Sequence, residues 1–559
     1  MIKKAVLYFH TLRYLKPVQI YGRLWKILYR PKADLSLPPA IRPQTEPWTA
    51  PILKEQSLLS PVRFQLLNEI HDILSAKDWN NSNWSKLWLY NLHYFDDLNA
   101  QGASERKQWH NDLMSRWILE NPPAVGNGWE PYPLSLRIVN WLKWALAGNI
   151  LLSAILHSLA VQVRFLSKQI EYHILGNHIL ANAKALIFAG CFFKGQEAEN
   201  WLNKGLKILS NEIPEQILDD GGHFELSPMY HCIVLEDVLD LINLFRCYAV
   251  LSLNSLLLDK VKQMMNWLAV MCHQDKMIAF FNDTALGIAA DPEILHLYGD
   301  RLGINKLSSP AIKQDRQEVP VVEKLTFDDI RLTHLKTSGY IRVDNGPMTA
   351  FLDVAEIGPD YLPGHAHADT LSFEVSFNGQ RVVVNSGTSL YGEGAVRLEQ
   401  RSTSSHNTVM IGRKDSSEVW GGFRVGRRAK PFGLEIKETV PKGVLVRCAH
   451  DGYQRLAGKP IHWREWYFEE QSLMVKDVIT GKSADAIGRV HFHPSVKIDG
   501  ENNLYVFHLS YGKDISCQVR KGCSRLVDST YNPKFGVSYA NQCMEVELDN
   551  NESQIVFNW

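Results

Sequence analysis

The chain has 559 residues, more than one hydrophobic core usually supports, so two domains are expected. Lys and Arg total 60 against 60 Asp and Glu, which excludes a nucleic-acid or anionic-membrane binder driven by net charge and leaves only local basic surfaces. The eight cysteines show no CxxC or metal-like spacing, so they read as buried thiols rather than a disulfide framework.

In chain order, the N-terminus begins like a signal peptide and then departs from that pattern. His10, Arg13 and Lys16 break the apolar run, and no small-residue cleavage site follows. No window approaches the roughly 20 apolar residues needed to span a bilayer, so a soluble cytoplasmic protein is expected. Arg13, Lys16, Arg23, Lys26 and Arg30 lie among Tyr, Leu, Trp and Ile. This basic amphipathic start reads as a first helix packed on the domain, with contact to a membrane surface as the alternative.

Residues 1–60 form an N-terminal extension. From 61 to 310 apolar residues recur at helical spacing, as in Leu134–Leu142, Ile150–Leu156 and Val234–Ile242. Residues 311–324 are polar and read as a linker. From 325 to 559 the period becomes two, as in Tyr340–Val343, Thr370–Phe377 and Arg381–Val384, with Asn378-Gly379 as a hairpin turn. A helical half followed by an antiparallel strand half predicts an α+β chain of two domains in series.

Chemistry-bearing residues cluster at four places. Gly176-Asn177-His178 opens an apolar helix, where Asn177 either caps the helix or reaches a cleft. Gly222-His223-Phe224-Glu225-Leu226-Ser227-Pro228-Met229-Tyr230 leads into another helix. Gly364-His365-Ala366-His367-Ala368-Asp369 and Ser404-Ser405-His406-Asn407-Thr408 supply three histidines close in sequence, able to act as bases, carboxylate partners or metal ligands. Trp129 and Tyr132 sit in a loop that either lines a carbohydrate groove or packs a helix corner.

These four motifs, in this order, resemble the heparinase II/III superfamily of polysaccharide lyases, which includes heparin/heparan, alginate and broad glycosaminoglycan lyases. The resemblance covers roughly residues 80 to 430. It implies an incomplete (α/α) toroid followed by an antiparallel β-sandwich, with a cleft between them that cleaves a uronate polymer by β-elimination. By resemblance Asn177 and His178 hold the uronate carboxyl group, Tyr230 gives a proton to the leaving oxygen and is an alternative base, and His365 is a base or a second carboxylate partner. Trp129, Tyr132, Glu225 and Arg401 are expected to contact the acidic polysaccharide. Arg397, Arg413, Arg424, Arg427 and Arg428 supply further positive charge, either for the polymer or as ordinary surface.

The resemblance also implies a structural divalent ion (zinc, or else manganese or calcium) held by His367, Asn385 and His406. Asn385 stands where relatives carry Asp, and an amide is a weaker ligand than a carboxylate. Asp369 is an alternative third ligand. Two other functions remain open at this point: a non-catalytic glycan-binding or exopolysaccharide-assembly protein on the same fold, and a glycoside hydrolase using Glu225 with Asp219 or Asp220.

Overall fold

The structure is a computed structural model that describes residues 2–250, 253–304, 321–439, 442–483 and 485–559. Two helices come first, α1 (Ile2–Leu12) and α2 (Pro17–Leu28), followed by a small antiparallel sheet of Leu58–Ser60, Arg63–Leu66 and Glu69–Asp72. That sheet lies where helical spacing was expected to begin. Its hairpin turns at Leu67 and Asn68, both with positive φ, a turn that short apolar patterns do not announce.

The helical half comprises α3 (Lys86–Tyr94), α4 (Lys107–Glu120), α5 (Pro131–Leu146), α6 (Ser153–Ser167), α7 (Gly176–Phe192), α8 (Gln196–Gln216), α9 (Pro228–Cys247), α10 (Asn254–Val270) and α11 (Pro292–Arg301). Proline opens α5, α9 and α11, where a missing N–H costs nothing and the fixed φ suits the first turn. The expected helix at Ile150 starts three residues later, at Ser153. Helix α7 is apolar on nearly every side and is accordingly buried, packed against α5, α8 and α9. Trp79, Trp88, Trp117 and Trp141 fill the core of this incomplete (α/α) toroid.

The strand half is an antiparallel sandwich. Six strands from Val322–Phe327 to Gln380–Val383 pair in chain order. Their inner face, with Ile341, Val343 and Phe373, packs on Val446, Trp466 and Phe557 of an eight-stranded sheet. Strand Ile461–Glu469 alternates buried and part-exposed residues along its length, the period-two signature of a half-covered sheet. Asn378-Gly379 turns with φ of 45° and 85°, as expected for this hairpin. The expected linker ends earlier than 324, because Val322 already begins a strand; residues 311–320 lie outside the described residues.

The halves join through an apolar layer of Leu226, Trp267 and Phe281 against Tyr340, Phe351 and Ala355. The buried Asp220 carboxylate accepts the backbone N–H groups of Thr337 and Ser338 at 3.0 and 2.7 Å. Among the described residues, no helix is long and apolar enough to cross a membrane.

Candidate active site

Leu175 precedes α7 with φ 73° and Gly176 follows with φ 60°. A Cβ on Gly176 would meet Leu362 Cδ2 at 2.4 Å and Glu225 Oε1 at 2.8 Å, so the turn that presents Asn177 and His178 requires glycine. Asn177 is inside the helix rather than capping it. Its side-chain amide has no hydrogen-bond partner among the described residues. His178 Nδ1 lies 3.1 Å from Glu171 Oε1, and Asn182 donates to the other Glu171 oxygen at 3.1 Å. A carboxylate accepts, so Nδ1 carries the proton and Nε2 is left for the cleft. Burial would lower the His178 pKa, but the Glu171 charge and hydrogen bond outweigh it and hold it above the ordinary histidine value. The Tyr132 ring covers His178 with centroids 4.3 Å apart.

Helix α9 begins at Ser227, whose hydroxyl accepts the Tyr230 N–H at 3.2 Å. This cap sets Tyr230 in the first turn. The Tyr230 ring lies 3.9 Å, centroid to centroid, from the His365 imidazole, and its hydroxyl is 3.0 Å from that of Tyr391. Burial pushes both phenol pKa values well above the ordinary tyrosine value, so both hydroxyls hold their protons.

His365 is positioned from the helical half. Its Nδ1 donates to Asp283 Oδ2 at 2.9 Å, while Asp283 Oδ1 accepts from His367 Nε2 at 2.8 Å. The Arg397 guanidinium pairs with both Asp283 oxygens. Burial alone would raise the Asp283 pKa, but Arg397 and the two histidine hydrogen bonds outweigh it and hold it well below the usual carboxylate range. His365 Nε2 faces Glu225 Oε2 at 3.6 Å. Glu225 is buried, no side chain hydrogen-bonds either of its oxygens among the described residues, and burial raises its pKa against the lowering effect of His365 and the Asn177 backbone N–H. A buried acid this weakly partnered is costly unless a ligand completes its hydrogen bonds. Tyr132 thus lies against His178, Glu225 against His365, and His365 against Tyr230, with the Gly176 turn that leads into Asn177 and His178 packed beside Glu225.

Two expected contacts are corrected. Trp129 is a core residue: it packs on Trp117 and Phe165 and donates to the Asn121 carbonyl at 3.3 Å. Arg401 is fully buried and donates to the Ala366 carbonyl at 3.0 and 2.9 Å, shaping the loop that carries His365 and His367 instead of facing polymer. Arg397 is likewise buried on Asp283. Arg427 pairs with Glu418, Arg428 pairs with Asp360 and covers the Tyr14 ring, and Arg424 stacks on Trp420.

The expected metal ligands are only partly brought together. His367 Nδ1 and His406 Nε2 are 3.0 Å apart. His406 Nδ1 donates to the Ser402 carbonyl at 2.8 Å. Asn385, however, accepts from Ser372 Oγ at 2.7 Å and donates to the Phe280 carbonyl at 2.7 Å. Both functional atoms of its amide are thereby committed to Ser372 and to the Phe280 backbone. Asp369 accepts from the Asn282 N–H at 3.1 Å. Among the described residues no group of three or more His, Cys, Asp or Glu is placed to hold a metal ion. The donor set is two imidazoles, which does not fit a site of three protein ligands.

Glu171, Asp283 and Tyr391 complete the site and carry no motif signal of their own. Asp283 alone had a local cue, a polar Asn282-Asp283-Thr284 step directly after apolar Ile278–Phe281.

Comparison with known proteins gives two family matches: the heparinase II/III N-terminus over residues 107–291 and the heparinase II/III-like C-terminal domain over 329–559. A heparin-sulfate lyase of Bacteroides stercoris is 29% identical over 257 residues, covering 44% of this chain and 37% of that protein. One from Bacteroides thetaiotaomicron is 24% identical over 359 residues, covering 56% and 48%. The matched region therefore spans less than half the length of these relatives. A crystal structure of heparinase III superposes with a TM-score of 0.67 at 18% identity, covering 97% of this chain and 84% of that one, which is a likeness of fold.

Proposed function

Because this chain belongs to the heparinase II/III family, we propose that it is a polysaccharide lyase that cleaves uronate-bearing glycosaminoglycan of the heparan type by β-elimination. The observation that carries the reading is the placing of a proton-bearing phenol, Tyr230, against His365, whose Nδ1 is held by Asp283. That arrangement suits removal of one proton and delivery of another.

In the reaction the C5–H and C4–O bonds break, a C4–C5 double bond forms, and one proton passes to the leaving oxygen. No electrons are gained or lost. Asn177 and cationic His178 neutralise the uronate carboxylate, which makes the C5 proton more acidic and stabilises the enolate-like intermediate. His365 Nε2 takes the C5 proton, since Nδ1 is engaged by Asp283. Tyr230 protonates the leaving oxygen, and Tyr391 stands ready to resupply that proton. Glu225, beside His365, is placed to hydrogen-bond a sugar hydroxyl. No step is assigned to a metal.

A hydrolase pair is disfavoured on geometry. Asp220 is spent on the Thr337 and Ser338 N–H groups, and Asp219 is exposed on the turn beside it. The test is far-ultraviolet absorbance of the new double bond on heparan, chondroitin, hyaluronan and alginate. A rise on heparan that disappears in Tyr230→Phe supports the reading. New reducing ends without absorbance would replace it with hydrolysis. Binding without cleavage on every polymer would point to a glycan-binding protein.

A further inference from the structure

Helix α2 is folded with its polar side inward. At about 3.6 residues per turn, Gln19, Gly22 and Lys26 share one stripe, and this stripe faces the protein. Gln19 is 1% exposed and its amide nitrogen lies within hydrogen-bond reach of the Ile174 and Tyr361 carbonyls, at 3.3 and 3.2 Å. A Cβ on Gly22 would meet the His173 backbone nitrogen at 2.9 Å, and Lys26 Nζ lies 3.3 Å from His173 Nε2. The opposite arc carries Ile20, Tyr21, Leu24, Trp25, Ile27 and Leu28. Of these, Tyr21 is 69%, Trp25 60%, Ile27 72% and Leu28 81% exposed. An unbroken apolar arc of this width on the outside of a helix is the mark of a surface meant to be covered. Tyr21, Leu24, Trp25 and Leu28 of this arc also line one side of a groove of about 810 Å³ whose other wall includes Phe165, Ile170 and Tyr172.

Charge says what covers it. Residues 1–33 hold eight Lys and Arg and no Asp or Glu, in a chain whose net charge is zero. Lys16 pairs with Glu215, but among the described residues Arg23, Lys26, Arg30 and Lys32 have no carboxylate within ion-pair distance. Two copies of such a face would repel each other, whereas an anionic surface would be drawn to it. Tyr and Trp at the edge of an apolar face with flanking Lys and Arg suit the headgroup level of a bilayer, where long basic side chains reach the phosphates.

We propose that α2 is a peripheral membrane-docking helix that seats its apolar arc in an anionic lipid bilayer. Gln19 also touches the Tyr361 carbonyl, three residues before the histidine loop, so docking would fix the mouth of the cleft relative to the membrane.

The experiment is flotation of the full chain with phosphatidylcholine vesicles, with and without phosphatidylglycerol. The wild type is expected to float with the anionic vesicles and at least tenfold less with pure phosphatidylcholine or at high salt. Leu24→Glu/Leu28→Glu, both at exposed positions, is expected to lower flotation at least tenfold with an unchanged melting temperature. Absence of wild-type flotation, or equal flotation of the variant, would overturn the proposal. So would a dimer in sedimentation, without flotation, that this double variant dissociates, since the face would then belong to a second copy.

Discussion

At the scale of single residues, the charge of His178 depends on Glu171. Replacing Glu171 by Gln removes the charge that most opposes burial, which lowers the His178 pKa. The alkaline limb of the pH–rate profile should therefore move to lower pH, while the acid limb stays in place. An unmoved alkaline limb would remove His178 from the role of cationic carboxylate partner. Tyr230→Phe should lower turnover by about 10²–10⁴-fold, the usual worth of a general acid, with polymer binding retained in a calorimetric titration. Asp283 is fully buried against Arg397. Arg397→Met should destabilise by about 3–5 kcal/mol, because it strands a buried charge. The sign with pH follows from linkage. The depressed Asp283 pKa gives stability that is complete above the ordinary carboxylate value and is lost only as pH falls through the folded value. Losing Arg397 moves that pKa up from its depressed native position, so the variant's deficit in urea unfolding should be largest near neutrality and shrink in acid.

At the scale of elements, the start of α7 is the least replaceable turn. Gly176→Ala adds a methyl group 2.4 Å from Leu362 Cδ2 and 2.8 Å from Glu225 Oε1 in a positive-φ backbone. It should cost activity through displaced Asn177 and His178 more than it costs stability, read as a large fall in kcat/KM with a small shift in melting temperature. This turn and the capped start of α9 were legible in the sequence because Gly, Asn, Ser and Pro mark helix ends locally. The hairpin at Asn378-Gly379 was legible for the same reason. The sheet at 58–72 was not, because three- and four-residue strands hold too few periods to show alternation. Trp129 and Arg401 were misread toward the cleft. Residue type tells what a side chain is able to do, but only tertiary packing buries Trp129 on Trp117 and turns Arg401 onto the Ala366 carbonyl. Asp283 and Tyr391 reach His365 and Tyr230 across sequence separations of 82 and 161 residues, beyond any spacing rule.

At the scale of the whole molecule, the site exists only because the two halves meet. Asn177, His178, Glu225, Tyr230 and Asp283 come from the helical half; His365, Tyr391 and Arg397 come from the strand half. Asp283 ties His365, His367 and Arg397 together and so braces the histidine loop. Treatment with a chelator followed by gel filtration should therefore leave melting temperature and activity unchanged. A fall restored by zinc, manganese or calcium would show that the loop depends on an ion after all.

The central claim is elimination in this cleft, and the most direct test is the mass of the products from a defined heparan-type oligosaccharide. Elimination predicts that the masses of the two fragments sum to that of the substrate, with the unsaturated ring on the fragment bearing the new non-reducing end. A sum heavier by one water would mean hydrolysis and would contradict the account.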